Sequence, residues 1–341
     1  MKNSGKNLYL NALKREENNI VPVTPIIGHF AGTFSGYTIK EFTTDPEIMA
    51  ESLLNTQNYF GYDAIYIAAD TWINAGAMGC EVNFPENSPA EGKQILDSKK
   101  DLSKLKIPDP SKDGRWPLML EAAEIVCNNN DNQACIIGNI DQSPFTLAGE
   151  LRGIENLMID LKEDPDFVFE LLDICSEAVI AYGKAMAKQG VQVLNTGDSL
   201  AQLIGPKYYQ KFALPYEKKV FKELKGKTDL PVTLHICGDT TKILEFIPQS
   251  MADGFEVDHA VELQKAFEIV GGEISLIGNI DPVDILNNKT PDVVKKHTKD
   301  LLKKHKNKKG FVLASGCTIT PDNPEENIKA MVNAAREFSQ N

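Results

Sequence analysis

Arginine is scarce in this chain: of its 36 basic residues only Arg15, Arg115, Arg152 and Arg336 carry a guanidinium. A ligand with many carboxylates is ordinarily held by several planar, bidentate guanidinium groups, and few are on offer. Positive charge is short overall. The formal net charge of −12 excludes nucleic acid as an expected partner, because phosphate binding wants a basic field. No apolar run reaches the roughly 18 residues of a membrane-spanning helix, and residues 1–17 are polar, without a signal-peptide core. Six cysteines in 341 residues make no disulfide framework. We therefore expect a cytoplasmic, reduced protein with no membrane partner. A dinucleotide-type Gly-x-Gly-x-x-Gly, a phosphate-binding P-loop and any Pro/Gly/Ser-rich linker are also missing.

Alternation of apolar strands with helices is what the chain does have. Eight strand-like segments are read: Ile20–Ile27, Asp63–Ala69, Cys135–Ile140, Val191–Asn195, Leu230–Ile236, Gly254–Val257, Ile274–Ile277 and Phe311–Ser315. Between them lie helical segments, among them Pro46–Tyr59 behind an Asp45 cap, Phe145–Leu161, Asp166–Gln189, Pro206–Leu224, Thr240–Pro248 and Pro291–His305. Such a pattern specifies a parallel sheet, and eight units favour closure into a (β/α)8 barrel. Ile-Gly-Asn-Ile-Asp occurs at 137–141 and again at 277–281, after the third and seventh strands, opposite one another in an eightfold barrel. The expectation is one α/β domain over 1–341, a TIM-type barrel with an N-terminal helical extension at about 1–19. The long irregular stretch 71–106 is of the kind that usually serves function.

In such barrels the chemistry sits at the C-terminal strand ends. His235 and Cys237 are two apart in Val-Thr-Leu-His-Ile-Cys-Gly-Asp, so on extended chain they project to one side. Imidazole and thiolate together suit a borderline-soft metal, zinc by default. Cys317, ending Phe-Val-Leu-Ala-Ser-Gly-Cys, is the best third ligand. Either His235 or Cys237 alone would more simply be a buried core residue, and Cys80, Cys127, Cys135 and Cys175 are read as small hydrophobes. One neutral and two anionic ligands leave a fourth position open. Their donated charge weakens zinc as a generator of hydroxide but keeps a bound sulfur electron-rich, which suits alkyl transfer to sulfur. Other polar strand-end residues, Asp70, Asp198 and Asn279 among them, are candidates for binding substrate; Asp141 and Asp281 are equally well helix caps.

His-x-Cys-Gly-Asp at 235–239, Asn-Thr-Gly-Asp-Ser at 195–199, Pro-Phe-Thr-Leu-Ala at 144–148, Gly-Asn-Ile-Asp-Pro at 278–282 and the segment Gly316–Ile328 together resemble the uroporphyrinogen decarboxylase superfamily. Within it they are similar to the zinc-dependent methylcobamide:coenzyme M methyltransferases. The resemblance implies a (β/α)8 barrel, zinc on His235, Cys237 and Cys317, and transfer of a methyl group from a methylated corrinoid, on a separate small corrinoid protein, to a thiol such as coenzyme M. Glu150 is a possible fourth ligand, and Arg152 is offered for the sulfonate of coenzyme M. No Asp-x-His-x-x-Gly segment occurs, so the methylcobamide is expected as a substrate rather than a tightly held cofactor. Trp72, Ile73 and Met78 in the 71–106 stretch are offered as apolar surface for the corrin. Tetrahydrofolate or homocysteine as acceptor, loading of the corrinoid from a small methyl donor, a docking or carrier module without catalysis, and a decarboxylating lyase remain as alternatives. The stretch Pro25–Phe34 lacks the arginine that decarboxylases of the superfamily carry there, which disfavours the lyase.

Overall fold

The hydrophobic interior falls into two clusters, and their separation defines the architecture. The smaller gathers Tyr9, Leu13, Ile26, Ala64, Tyr66, Ile137, Val193, Ile277 and Val312 inside a ring of strands, whereas the larger lies between that ring and the helices around it. A computed structural model describes residues 4–131 and 133–339. Its eight parallel strands are β1 (Val23–Thr24), β2 (Ala64–Ile67), β3 (Cys135–Gln142), β4 (Val193–Gly197), β5 (Val232–Ile236), β6 (Gly254–Val257), β7 (Ser275–Ile280) and β8 (Phe311–Ser315). They pair in the order β1-β8-β7-β6-β5-β4-β3-β2. Side chains alternate along a strand, so Ile137 and Asn139, Val193 and Asn195, or Thr233 and His235 face inward while their neighbours pack outward. The two Ile-Gly-Asn-Ile-Asp copies end β3 and β7, four places apart around the ring.

The ring is completed between β1 and β2 by a carboxylate. The Val23 amide donates to Asp63 Oδ2 at 2.7 Å, the Asp63 amide donates to the Val23 carbonyl at 2.8 Å, and Thr24 Oγ1 donates to the Ala64 carbonyl at 2.9 Å. Both oxygens of Asp63 also receive Arg336, at 2.9 and 2.8 Å. The last helix, Glu325–Ser339, thereby clamps the seam. At this same N-terminal end of the barrel α1 (Gly5–Leu13) inserts Tyr9, Ala12 and Leu13 as a plug. Arg15 holds it there by donating to the carbonyls of Gly271 and Ile274. This helix corresponds to the expected N-terminal extension, whose residues 1–3 lie outside the described residues.

Several expected boundaries change for local reasons. Ile20–Ile27 yields only a two-residue strand, because Pro22 and Pro25 have no amide hydrogen to give a ladder. The helix expected at Phe145–Leu161 is two, Pro144–Arg152 and Ile154–Glu163. They break at Gly153, which has φ +84° and lies where a Cβ would strike Gln94. Pro206–Leu224 opens as a turn of α-helix, widens into a π-turn at Tyr209–Ala213 and continues to Thr228. Thr240–Pro248 is instead a 3-10 turn at Leu244–Ser250. His29–Phe34 and Ile39–Thr44 are helices that the pattern did not reveal, although Thr38 and Glu41 form a capping box. The irregular stretch 71–106 contains a short helix (Ile73–Ala77), a hairpin (Glu81–Asn83 with Glu91–Lys93) and a 3-10 turn (Lys99–Lys104). No helix among the described residues is long and apolar enough to cross a membrane.

Candidate metal centre

β5 is apolar and β-branched until its inward-facing penultimate residue, His235, and the chain then turns at Gly238 with φ +79°. Cys237 therefore sits on the rim, beside the imidazole. Cys317 reaches them from the end of β8 by way of Gly316, whose backbone lies so close to His259 that a Cβ would stand 2.4 Å from its amide nitrogen. One ligand atom from each of His235, Cys237 and Cys317 lies within 4.8 Å of the others, and among the described residues no carboxylate joins that group. His235 Nε2 and Cys237 Sγ are 3.2 Å apart. Tetrahedral zinc with bonds of about 2.0–2.3 Å spaces its ligand atoms by about 3.5 Å. The donor set and spacing fit such an ion.

The surroundings fix the ligands' orientation and charge. His235 Nδ1 lies 3.1 Å from the Glu256 carbonyl, a donor–acceptor pair that leaves Nε2 facing the sulfurs. Burial by itself would push the imidazole down, but the Cys237 sulfur and the Glu256 charge outweigh it and raise the group to about 9. The Cys317 thiol donates to Cys237, which is brought down to about 3 by that bond and by His235. Cys317 itself is pushed well up, first by its bond to the Cys237 thiolate and then by burial. Ser199 Oγ approaches Cys237 Sγ at 3.4 Å. Glu256 is buried inside the barrel and receives Tyr66 Oη at 2.9 Å, Asn195 Nδ2 at 2.8 Å and Thr233 Oγ1 at 3.2 Å.

A cavity of about 180 Å³ opens above the ligands, lined by Ile26, Tyr66, Asp70, Asp141, Gln142 and Ser199 among others. A second, of about 540 Å³, adjoins it: Thr71, Gln142 and Ser199 belong to both, and Trp72, Gln94, Glu150, Ile154 and Leu200 wall the rest. Of the three substrate-binding candidates Asp70, Asp198 and Asn279, only Asp70 lines the metal-side cavity, beside Asp141. It is not free, since Arg115 grips both its oxygens at 2.6 and 2.8 Å while stacking over Phe84. Asp198 is buried below the rim. Its Oδ1 receives the amide and hydroxyl of Thr146 at 3.0 and 2.7 Å, and burial pushes its carboxyl up to about 6, while burial and the Asp198 charge push the buried Glu217 up. Asn279 donates to the carbonyls of Asp258 and Val261, which ties down the loop after β6.

Three expectations are corrected. Glu150 stands in the adjoining cavity, not with the three ligands. Arg152 lines neither cavity, being buried and spent on Asp160 at 2.8 Å and on the carbonyls of Leu96 and Asp97. Ile73 and Met78 are buried, because the short helix they flank packs inward, so they offer no surface to a corrin ring; Trp72, half-buried, faces the larger cavity. Sequence reasoning missed Arg115, Tyr66 and Glu256. Glu256 left a readable signal, an acid in the middle of the apolar strand Gly-Phe-Glu-Val. Arg115 left none, lying 45 residues from Asp70 outside any strand end.

These features can be set beside known proteins. Methylcobamide:CoM methyltransferase MtbA of Methanosarcina acetivorans is 32% identical over 308 residues, 89% of this chain and 88% of its own. The uroporphyrinogen decarboxylase of Xylella fastidiosa is 27% identical, covering 96% and 94%. A solved methyltransferase from Methanosarcina mazei superimposes with a TM-score of 0.90 at 28% identity, covering 98% of this chain and 99% of that one. The uroporphyrinogen decarboxylase (URO-D) family model matches residues 4–338, and the chain belongs to that family.

Proposed function

We propose that the protein is a zinc-dependent methyltransferase that moves a methyl group from a methylated corrinoid, carried by a partner protein, to the sulfur of a small thiol of the class that includes coenzyme M. The observation that carries this reading is the convergence of one histidine and two cysteines at the barrel mouth with no carboxylate among them. Zinc held by His235, Cys237 and Cys317 would supply an open position that acidifies a thiol while leaving its sulfur electron-rich.

The chain's own residues do the rest. Glu256 fixes the ring of His235 through its backbone carbonyl, and its carboxylate, held by three donors, keeps the barrel interior under that ring rigid. The metal-side cavity positions the acceptor beneath the mouth, where the corrinoid's methyl carbon must come to within about 3–3.5 Å of the sulfur. The thiol gives up its proton to solvent and its sulfur lone pair forms the C–S bond. The Co–C bond breaks with its electron pair left on cobalt, which passes from Co(III) to Co(I). Ile154, Leu203 and Val283, on segments that follow β3, β4 and β7, are exposed and give the partner an apolar rim to meet. A reducing cytoplasm keeps both site cysteines from being oxidised to a disulfide.

All four arginines are committed within the chain: Arg15 to carbonyls at the far end of the barrel, Arg115 to Asp70, Arg152 to Asp160 and Arg336 to Asp63. This leaves no cluster for the many carboxylates of a porphyrinogen. To test the reading, zinc-loaded protein is mixed with free methylcobalamin and, in turn, coenzyme M, homocysteine or tetrahydrofolate, following loss of the methylcobalamin spectrum. Consumption with a thiol is expected. Consumption with tetrahydrofolate alone would refute thiol activation, and carbon dioxide release from uroporphyrinogen would revive the lyase.

A further inference from the structure

The charge and hydrogen-bonding demand of the two cavities narrows the acceptor. Among the described residues, and apart from the ligand His235, no histidine, lysine or arginine lines either cavity, whereas Asp70, Asp141, Glu150, Glu155 and Glu256 all face them. Arg115, which reaches the cavity-lining Asp70, is occupied on both prongs by it. His29 stands near that pair, and burial pushes its imidazole down, toward the neutral form.

Helix N-termini, the other usual anion sites, are filled from within. Asp141 Oδ2 takes the Asn74 amide at 2.6 Å at the start of Ile73–Ala77, and Asp198 takes the Thr146 amide in the first turn of Pro144–Arg152. In the turns after β5, β6 and β7, Asp239, Asp258 and Asp281 accept the amides of Thr241, Ala260 and Val283. What stays unmet around the junction is the reverse demand. Asp141 Oδ1, Gln142 Oε1 and Glu150 Oε2 are sealed from solvent with no hydrogen-bond partner. Burial pushes the Asp141 carboxyl up to about 7 and the Glu150 carboxyl up as well, so both hold protons of their own near neutrality; the Gln142 amide oxygen has none, and it calls for a ligand that brings a donor. A sulfonate brings only acceptors and a second negative charge.

The larger cavity adds a size criterion. At about 540 Å³, walled by Trp72, Ile154 and Leu200, it falls in the range that holds a drug-sized organic body, about 300–1,000 Å³. A two-carbon thiol would leave most of it empty.

We infer that the acceptor is an uncharged or ammonium-bearing organic thiol whose body lies in the larger cavity and donates a hydrogen bond toward Gln142, in preference to a sulfonate-bearing thiol. The inference rests on the thiol-methylation reading. Three two-carbon thiols that differ only in the far end test it: 2-mercaptoethanol, 2-aminoethanethiol and 2-mercaptoethanesulfonate, each with free methylcobalamin at pH 7. The expected kcat/KM for the sulfonate is at least tenfold below that of the other two, and 2-phenylethanethiol, which reaches into the larger cavity, exceeds 2-mercaptoethanol. Asn156→Arg, at the half-buried wall of that cavity, should narrow the sulfonate's deficit. A readout without turnover is Trp72 emission, titrated with 2-phenylethyl methyl sulfide and with 2-(methylthio)ethanesulfonate; only the former should saturate. A sulfonate used as well as or better than 2-mercaptoethanol, or saturation by the sulfonate alone, overturns the inference and leaves thiol methylation standing. Failure of every thiol overturns both.

Discussion

Replacing Cys317 by serine should cost metal affinity by an amount that the three-ligand arrangement sets. Four-ligand zinc sites in small folded units bind with about 10–16 kcal/mol at pH 7, roughly 3 kcal/mol per ligand. Losing one thiolate of the three protein ligands should therefore weaken binding by about a hundredfold, at 1.4 kcal/mol per factor of ten. Cys237→Ser should lose as much and Cys175→Ser nothing, since Cys175 is buried in the helical layer. The pH dependence follows from the protons present before metal arrives. Cys237, brought down to about 3, is already a thiolate at pH 7, whereas His235, raised to about 9, and Cys317, pushed up, each hold a proton. Uptake near neutrality therefore displaces about two protons, and affinity should rise about a hundredfold per pH unit below pH 9. A chromophoric chelator in competition with the protein from pH 6 to 8 measures both quantities. Unchanged affinity in Cys317→Ser, or binding flat with pH, would refute the assignment of these three residues.

Two further predictions concern the frame around the site. Arg336→Ala leaves the nearly buried Asp63 carboxylate at the barrel seam with only the Val23 amide. Fully buried pairs cost about 3–5 kcal/mol to break, but the Arg336 side chain is 31% exposed, so a loss of about 2 kcal/mol is expected in urea unfolding. No change in the midpoint would show that the seam does not need the clamp. Burial raises Asp141 to about 7, so its carboxyl is more readily protonated folded than unfolded. Its contribution is present below pH 4 and is lost as pH rises to about 7. Asp141→Asn, at a left-handed position with φ +64° that asparagine tolerates, should therefore flatten the decline in stability between pH 5 and pH 8; a decline as steep as in the parent protein would contradict this account.

What the sequence made legible was whatever period and chain proximity encode. Phe311–Ser315, Gly254–Val257 and Pro291–His305 appear with their expected ends, because apolar runs bounded by Gly, Pro and Asp leave little choice of boundary. His235 and Cys237 could be paired because a strand's period of two puts them on one side, and Cys317 because it ends another strand. Contacts made across the fold were not legible. The commitment of Arg152 to Asp160 depends on the helix break at Gly153, and the inward packing of Ile73 and Met78 depends on Trp116 and Asn74 meeting across loops, with Trp116 Nε1 donating to Asn74 Oδ1 at 3.0 Å. Neither has a local signature. Glu150 likewise reads as an ordinary helical acid until the cavity beside it is seen.

The metal centre also depends on closure of the barrel. His235 and Cys237 belong to β5 and its turn, while Cys317 belongs to β8, three strands further around the ring. On an open sheet those strand ends would diverge, since each strand adds a twist of roughly 20–25° to the last. Closure returns β8 toward the middle of the mouth by seating it against β1. Val23 pairs with Leu313 and Thr24 with Ala314, and Ser315 Oγ accepts the Ile26 amide at 2.9 Å, two residues before Cys317. Beyond β1, the next strand is held through Asp63 and Arg336. The path from the Arg336 clamp to Cys317 is thus a run of backbone pairings and one serine hydroxyl. Loosening the seam should weaken the metal before it unfolds the chain, so Arg336→Ala should lose zinc affinity at denaturant concentrations where its helical signal is still intact. Simultaneous loss of zinc and helix would show instead that the three ligands are held by their own loops.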